Sequence, residues 1–151
     1  MHKPKKILFA LAGYDAEMHK GIVDYAREKN WQIQIVSPSH GPVYQFWKGD
    51  GIISCISTNL EDPMTKFVMN FPGPKVELSK YFSDDDFARV YEDSEKIGRL
   101  AAQYFLNKGF RHFSYFSEHR FWATEDRERY FEHELSKSGL NCEGVYLRES
   151  V

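Results

Sequence analysis

The sequence predicts an α/β fold, a doubly wound parallel sheet with helices packed on it, and three observations lead there. Short, continuously apolar runs alternate with longer stretches whose apolar residues recur at helical spacing. The runs, such as Ile7-Leu8-Phe9-Ala10-Leu11-Ala12, lack apolar–polar alternation and suit strands covered on both faces. A turn and then a helical pattern follow these runs, the β-α-β order that makes a parallel sheet.

The first strand, Ile7 to Ala12, ends at Gly13-Tyr14-Asp15, after which Met18, Ile22, Tyr25 and Ala26 mark one helix face. A second strand, Trp31 to Val36, follows Asn30; Pro38 to Pro42 reads as loop and Val43 to Trp47 as a short, irregular helix. Asp50-Gly51 leads into a third strand, Ile52 to Ile56. Thr58-Asn59-Leu60-Glu61 has capping-box spacing, and Asp62-Pro63 is a better helix start, because proline in the first turn gives up an N–H with no helical acceptor. Met64, Phe67 and Val68 are expected to face inward. Pro72-Gly73-Pro74 breaks the chain before a fourth strand, Lys75 to Leu78. Ser83 to Asp86 reads as a solvated turn and Arg89 to Glu92 as a brief fifth strand.

The clearest helix comes next, with Ile97, Leu100, Ala101, Tyr104 and Phe105 as its apolar stripe and Gly109 as its left-handed cap. His112 to Phe116 is a strand, Ala123 to Ser138 a helix ended by Gly139, and Gly144 to Leu147 a last strand.

A chain of 151 residues with 42% hydrophobic and 28% charged residues has the makeup of a soluble globular protein. A net charge of −2 argues against a phosphate footprint on this segment, and the basic cluster at residues 1–6 reads as a solvated flank. Cys55 and Cys142 form no Cys-x-x-Cys pair; Cys55, within an apolar run, is expected to be a reduced core thiol in a cytoplasmic protein. No secretory signal is read at the start, and no run approaches a membrane span.

The six histidines show neither His-x-His nor His-x-x-x-His spacing, so no metal site is expected. No Gly-x-Ser-x-Gly elbow, Walker loop or Gly-x-Gly-x-x-Gly is present, and the first strand does not end in the acid pair of a phosphoryl receiver. Neither a cofactor nor catalysis is predicted. What remains is a set of short polar residues after each strand, including Asp15, Ser57, Thr58, Asn59, Glu77, Ser79, Asp93, Ser94 and Ser117. Such an inventory suits a neutral polyol, whose hydroxyls both donate and accept while aromatic rings cover its C–H faces. Each candidate has a second reading: Asp15, Thr58, Asn59 and Asp93 serve as helix caps, Trp122 as packing, Arg127 as a surface residue.

The segment Val90-Tyr91-Glu92-Asp93-Ser94, Ile97-Gly98, Ala101-Ala102, Tyr104-Phe105-Leu106 and Lys108-Gly109-Phe110-Arg111-His112-Phe113 resembles the signature of lactose-repressor-type sensor domains. Within that group Tyr14-Asp15 with Gly21, Trp47-x-Gly-Asp-Gly-Ile-Ile, and Trp122-Ala123-Thr124-Glu125 look like the xylose-operon regulators, whose sensor is fused to an AraC-type DNA-binding domain. The resemblance covers about Lys5 to Leu147. It implies a type I periplasmic-binding-protein-like fold of two Rossmann- or flavodoxin-like lobes, with a sugar, a pentose such as xylose, in the cleft between them.

Carried over by residue, the ligand candidates are Tyr14 and Asp15 in the first cleft loop, Asp93, Ser57, Trp122 and Arg127. Arg127 matches an Arg-x-x-Gly-Phe-x-x-x-Leu helix through Phe131 and Leu135, although Tyr130 stands where the Gly would be; counting from Trp122 puts Asp126 at the Arg position instead. The resemblance further implies that residues 7–111 form the first lobe and 112–151 only the opening β-α-β of an incomplete second lobe. The DNA-binding domain would lie outside this chain, and homodimers are expected. Two other readings stay open: a small flavodoxin-like sugar-processing enzyme, and a module that dimerises through the helix bearing Ile97 to Phe105.

Overall fold

The computed structural model describes residues 3–56, 59–80, 87–117 and 122–146, apart from the side chains of Pro38 and Trp122. Its elements run β1 (Lys5–Leu11), α1 (Ala16–Glu28), β2 (Trp31–Val36), a 3-10 segment (Pro38–Phe46), β3 (Gly51–Cys55), α2 (Pro63–Asn70), β4 (Lys75–Glu77), β5 (Ala88–Arg89), α3 (Ser94–Asn107), β6 (Phe113–Ser117), α4 (Trp122–Ser136) and β7 (Cys142–Tyr146). They fall into two compact units, Met1–Tyr91 and Glu92–Val151. The α/β class and the parallel sheet read from the sequence are those of the structure.

The first unit is a five-stranded parallel sheet in the order β2-β1-β3-β4-β5. The register sets Leu8 beside Ile52, Ile53 beside Val76, and Glu77 beside Arg89, so each of these pairs shares a sheet face. Leu8, Ala10, Val36 and Ile52 line one face and pack against Met64 and Val68 of α2 and Tyr44 of the 3-10 segment. Leu8 and Val68 are wholly buried, each contributing about 1.5–3 kcal/mol of transfer free energy. On the opposite face α1 covers the β1–β2 side, where the Phe9 ring lies 6.4 Å from His19 and Tyr25 stands edge-on to Trp31 at 5.5 Å. Beyond α1 that face opens into an apolar groove of about 370 Å³ walled by Ile22, Tyr25, Ile53, Val76, Leu78 and Val90.

Local chemistry accounts for the helix starts. Asp62 accepts from the Thr65 N–H at 2.8 Å and Pro63 occupies the first turn, as the sequence predicts. Four details differ from the sequence reading. β1 begins at Lys5, inside the expected flank, because Lys5 and Lys6 pair with Trp31 and Gln32. The loop and short helix expected over Pro38–Trp47 form one 3-10 segment, interrupted at Gly41 (φ 66°) and Pro42. β5 is only Ala88–Arg89, and β7 begins at Cys142, which pairs with Phe113.

The second unit packs α3 on α4 beside the parallel β6–β7 pair. Ala102, Phe131 and Leu135 are its buried core, with Phe113, Tyr115 and Leu140 against them. The helix contact depends on Gly98: a β-carbon there would lie 2.5 Å from the Arg127 carbonyl oxygen and 2.9 Å from the Phe131 nitrogen. Gly109 (φ 87°) and Gly139 (φ 69°) adopt the left-handed conformation expected of them.

Within the second unit, which begins at Glu92, α3 packs with α4. Most of the apolar stripe read from the sequence lies outward, with Ile97, Leu100 and Tyr104 41%, 54% and 59% exposed, while Ala101 packs on the core and Ser94, Gly98 and Ala102 are buried. Small residues on the opposite side let two backbones approach, and that contact outweighs the burial of larger side chains.

Candidate functional site

In doubly wound sheets ligands lie outside the carboxyl ends of the strands, and each unit carries polar groups there. In the first unit the loop after β1 holds Tyr14 and Asp15. Asp15 accepts from the Met18 N–H at 2.7 Å and caps α1. Tyr14 is exposed, its hydroxyl 2.7 Å from His19 Nδ1 and its ring edge-on to that imidazole. The Asp15 carboxylate therefore has a structural duty, and the Tyr14 ring stands free of the core.

Deeper in the same unit, Glu77 at the end of β4 is 1% exposed. Ser54 donates to Glu77 Oε2, Ser79 donates to Oε1 at 2.7 Å, and the Ile56 N–H approaches Oε1 at 3.4 Å. Burial pushes the Glu77 carboxyl above the usual range, while the three donors and the charge of Arg89 pull it back part of the way. Sequence reasoning placed Glu77 and Ser79 after a strand but did not select them. The signal was present: an acid inside an apolar strand, opposite a serine inside another.

In the second unit the candidates gather where α3 and α4 begin. Asp93 accepts from the Lys96 N–H at 2.9 Å, capping α3. Arg127, in the first turns of α4, reaches back with Nη2 2.5 Å from Glu92 Oε1, the residue before Asp93. Its Nε is buried without a hydrogen-bond partner, and so is the hydroxyl of Ser94 in the first turn of α3. Buried donors left unpaired are costly. Asp126, the other position the resemblance allows, instead accepts from Arg129 at 2.6 Å one turn along α4. Arg127 reaches the start of α3 through that bond. Sequence reasoning placed Ser94 after a strand without selecting it and passed over Glu92, since an acid at a strand end and a serine in a first turn both read as solvated capping positions.

Ser57 and Thr58 lie outside the described residues. Trp122 opens α4, and its side chain is likewise outside them. Among the described residues no cluster of three or more His, Cys, Asp or Glu could hold a metal ion, and no helix is long and apolar enough to cross a membrane. The start of α3 and α4 offers two carboxylates as acceptors and a guanidinium and a hydroxyl as donors. That mixture grips vicinal hydroxyls, which need both at once.

No protein-family model and no curated protein matches the sequence. Solved structures do match its fold. A periplasmic binding protein/LacI transcriptional regulator from Alkaliphilus metalliredigens, complexed with D-xylulofuranose, superposes with a TM-score of 0.74 at 18% identity, over 97% of this chain and 58% of that one. A regulatory protein of the LacI family from Chloroflexus aggregans matches with a TM-score of 0.74 at 16% identity, over 96% of this chain and 58% of its own. A sugar-binding transcriptional regulator of the LacI family from Enterococcus faecalis gives 0.72 at 17% identity, over 96% and 56%. The fold is therefore the periplasmic-binding-protein-like α/β fold of these proteins, and the chain spans less than three-fifths of the length of each.

Proposed function

We propose that this chain is part of a sugar-sensing domain of a bacterial transcription regulator of the lactose-repressor type, responding to a pentose. The observation that carries the reading is the start of α3 and α4. There Arg127 Nε and Ser94 Oγ are buried without partners beside Glu92 and Asp93, donors and acceptors set for a neutral polyol. The fold supports the sensor class, and the structure solved with D-xylulofuranose is a LacI-type regulator holding a five-carbon sugar.

In this reading Asp93 and Asp15 accept from sugar hydroxyls, Arg127 donates to a sugar oxygen, and Ser57, Tyr14 and Trp122 complete the site. Sugar binding between two lobes shifts the population toward a closed arrangement, and that shift changes how a separate DNA-binding domain sits on its operator. The regulator works in the cytoplasm as a homodimer, senses rather than turns over its ligand, and reaches DNA only through that other domain. A xylose-operon role, with a DNA-binding domain of the AraC type, is the most specific form of the proposal.

Titration calorimetry on the intact regulator with D-xylose, L-arabinose and D-ribose tests it. Binding of at least one pentose, weakened tenfold or more by Arg127→Ala, is expected, since hydrogen bonds to a charged donor contribute about 1.5–3 kcal/mol. No binding of any pentose, or full affinity in Arg127→Ala, overturns it.

A further inference from the structure

Next to Arg127 in the second unit lies a buried acid that the reading above does not use. Glu128, in the second turn of α4, is buried, and both of its carboxyl oxygens lie within reach of the Tyr146 hydroxyl of β7, which donates to them. We propose that Tyr146 and Glu128 are positioning residues: their bond fixes the first turns of α4 on the β6–β7 pair and so holds the Arg127 guanidinium at the start of α3. Taking Arg127 as a ligand donor rests on the sugar reading; the holding of its side chain does not.

The sequence makes room for this bond. Gly144 and Tyr146, two apart on β7, share the sheet face that packs on α4, with Tyr115 and Ser117 of β6 beside them. A β-carbon on Gly144 would lie 2.5 Å from Glu128 Oε1 and 2.7 Å from the Tyr146 hydroxyl oxygen. The missing side chain is the space in which carboxyl and phenol meet. One strand over, the Tyr115 hydroxyl donates to the Thr124 carbonyl oxygen at 3.2 Å, so two tyrosines of the β6–β7 pair reach the start of α4.

These two anchors bracket Arg127 along the helix. Phe131 and Leu135 fasten the later turns of α4 in the apolar core, while the tyrosine hydroxyls act on the earlier ones. On the side facing α3, Gly98 lets the Arg127 backbone come close. Held between α3 and the sheet, Arg127 extends to Glu92 and buries its Nε. A local release of α4 from β7 frees that guanidinium and leaves the Leu135 core in place.

Hydrogen exchange of the Arg127 Nε–H, followed by NMR on the ligand-free chain in mild acid, tests this, with the Leu135 amide as internal reference. Tyr146→Phe removes one hydroxyl and is expected to raise the Arg127 rate relative to the Leu135 rate by roughly threefold to tenfold, the equivalent of one hydrogen bond. Where Tyr146→Phe does not fold, Gly144→Ala serves: its methyl forces Glu128 and Tyr146 apart, on a strand backbone without a positive φ, and the same rise is expected. A merely structural role speeds both sites together, so an unchanged ratio in the variant measured overturns the assignment. Pentose titration of the intact regulator keeps the two readings apart. A raised ratio without binding removes the sugar reading and leaves the positioning; binding with an unchanged ratio does the reverse.

Discussion

Gly98→Ala tests the α3–α4 contact, and its sign is informative. In an exposed helix the change is favourable by about 1 kcal/mol, because alanine gives up less backbone entropy. Gly21 in α1 supplies that reference, since a β-carbon there meets nothing within 4 Å. At Gly98 the new methyl would lie 2.5 Å from Arg127 O, 2.9 Å from Phe131 N and 3.0 Å from Tyr130 Cβ. The first two are backbone atoms of α4 and cannot rotate away. Ordinary contact begins at 3.4 Å, so α4 must retreat by 3.4 − 2.5 ≈ 0.9 Å along that line. Retreat loosens Phe131 and Leu135 against Ala102, and overpacking of this kind costs about 1–3 kcal/mol. Set against the propensity gain, the net change is a loss of about 0–2 kcal/mol, deepened in Gly98→Val by the extra methyls. Urea unfolding followed by hydrogen exchange, comparing α3–α4 peptides with those of β1–β3, separates the units. Gly21→Ala should raise stability of the first unit by about 1 kcal/mol. A comparable gain in the second unit from Gly98→Ala would refute the close contact.

Leu135→Ala should cost the second unit about 2–5 kcal/mol, because the side chain is wholly buried between α3, α4 and the β6–β7 pair; the same exchange measurement reads it. Asp62→Ala should cost about 1 kcal/mol by freeing the Thr65 N–H, visible as lower protection confined to α2. Glu77→Gln should flatten the dependence of the urea midpoint on pH. Burial raises the folded-state value of this carboxyl above its unfolded one, so its stabilising contribution is complete below the unfolded value and is lost as pH climbs through the folded one. The variant should therefore match the wild type in mild acid and exceed it at the alkaline end, and a variant less stable at the alkaline end would sink the desolvation account.

How much of the fold was legible depends on the range of the interaction involved. Gly109, Gly139 and Asp62-Pro63 act within one turn of chain, and each does what its sequence neighbourhood implies. β1 and β3 were legible because strands covered on both faces are apolar throughout. α3 shows the limit. Its period was plain, but its packed face was not, because hydropathy selects Ile97, Leu100 and Tyr104 while contact with α4 selects Ser94, Gly98 and Ala102. Whether α3 groups with the residues before or after it likewise depends on its partner, which no local pattern encodes.

The candidate site was legible in the same uneven way, and the reason is chemical. A helix N-terminus and a sugar hydroxyl ask for the same thing, a short side-chain oxygen at the end of a strand, so Asp15 and Asp93 satisfy both descriptions and their capping bonds do not separate them. What separates a cap from a ligand site is an unsatisfied group, and that is a property of packing. Beside Asp93, Arg127 reaches back to Glu92, and its Nε and the Ser94 hydroxyl are buried and unpaired. A helix cap by itself leaves no such donors, and they are the ground on which we propose an external polar group at this helix start.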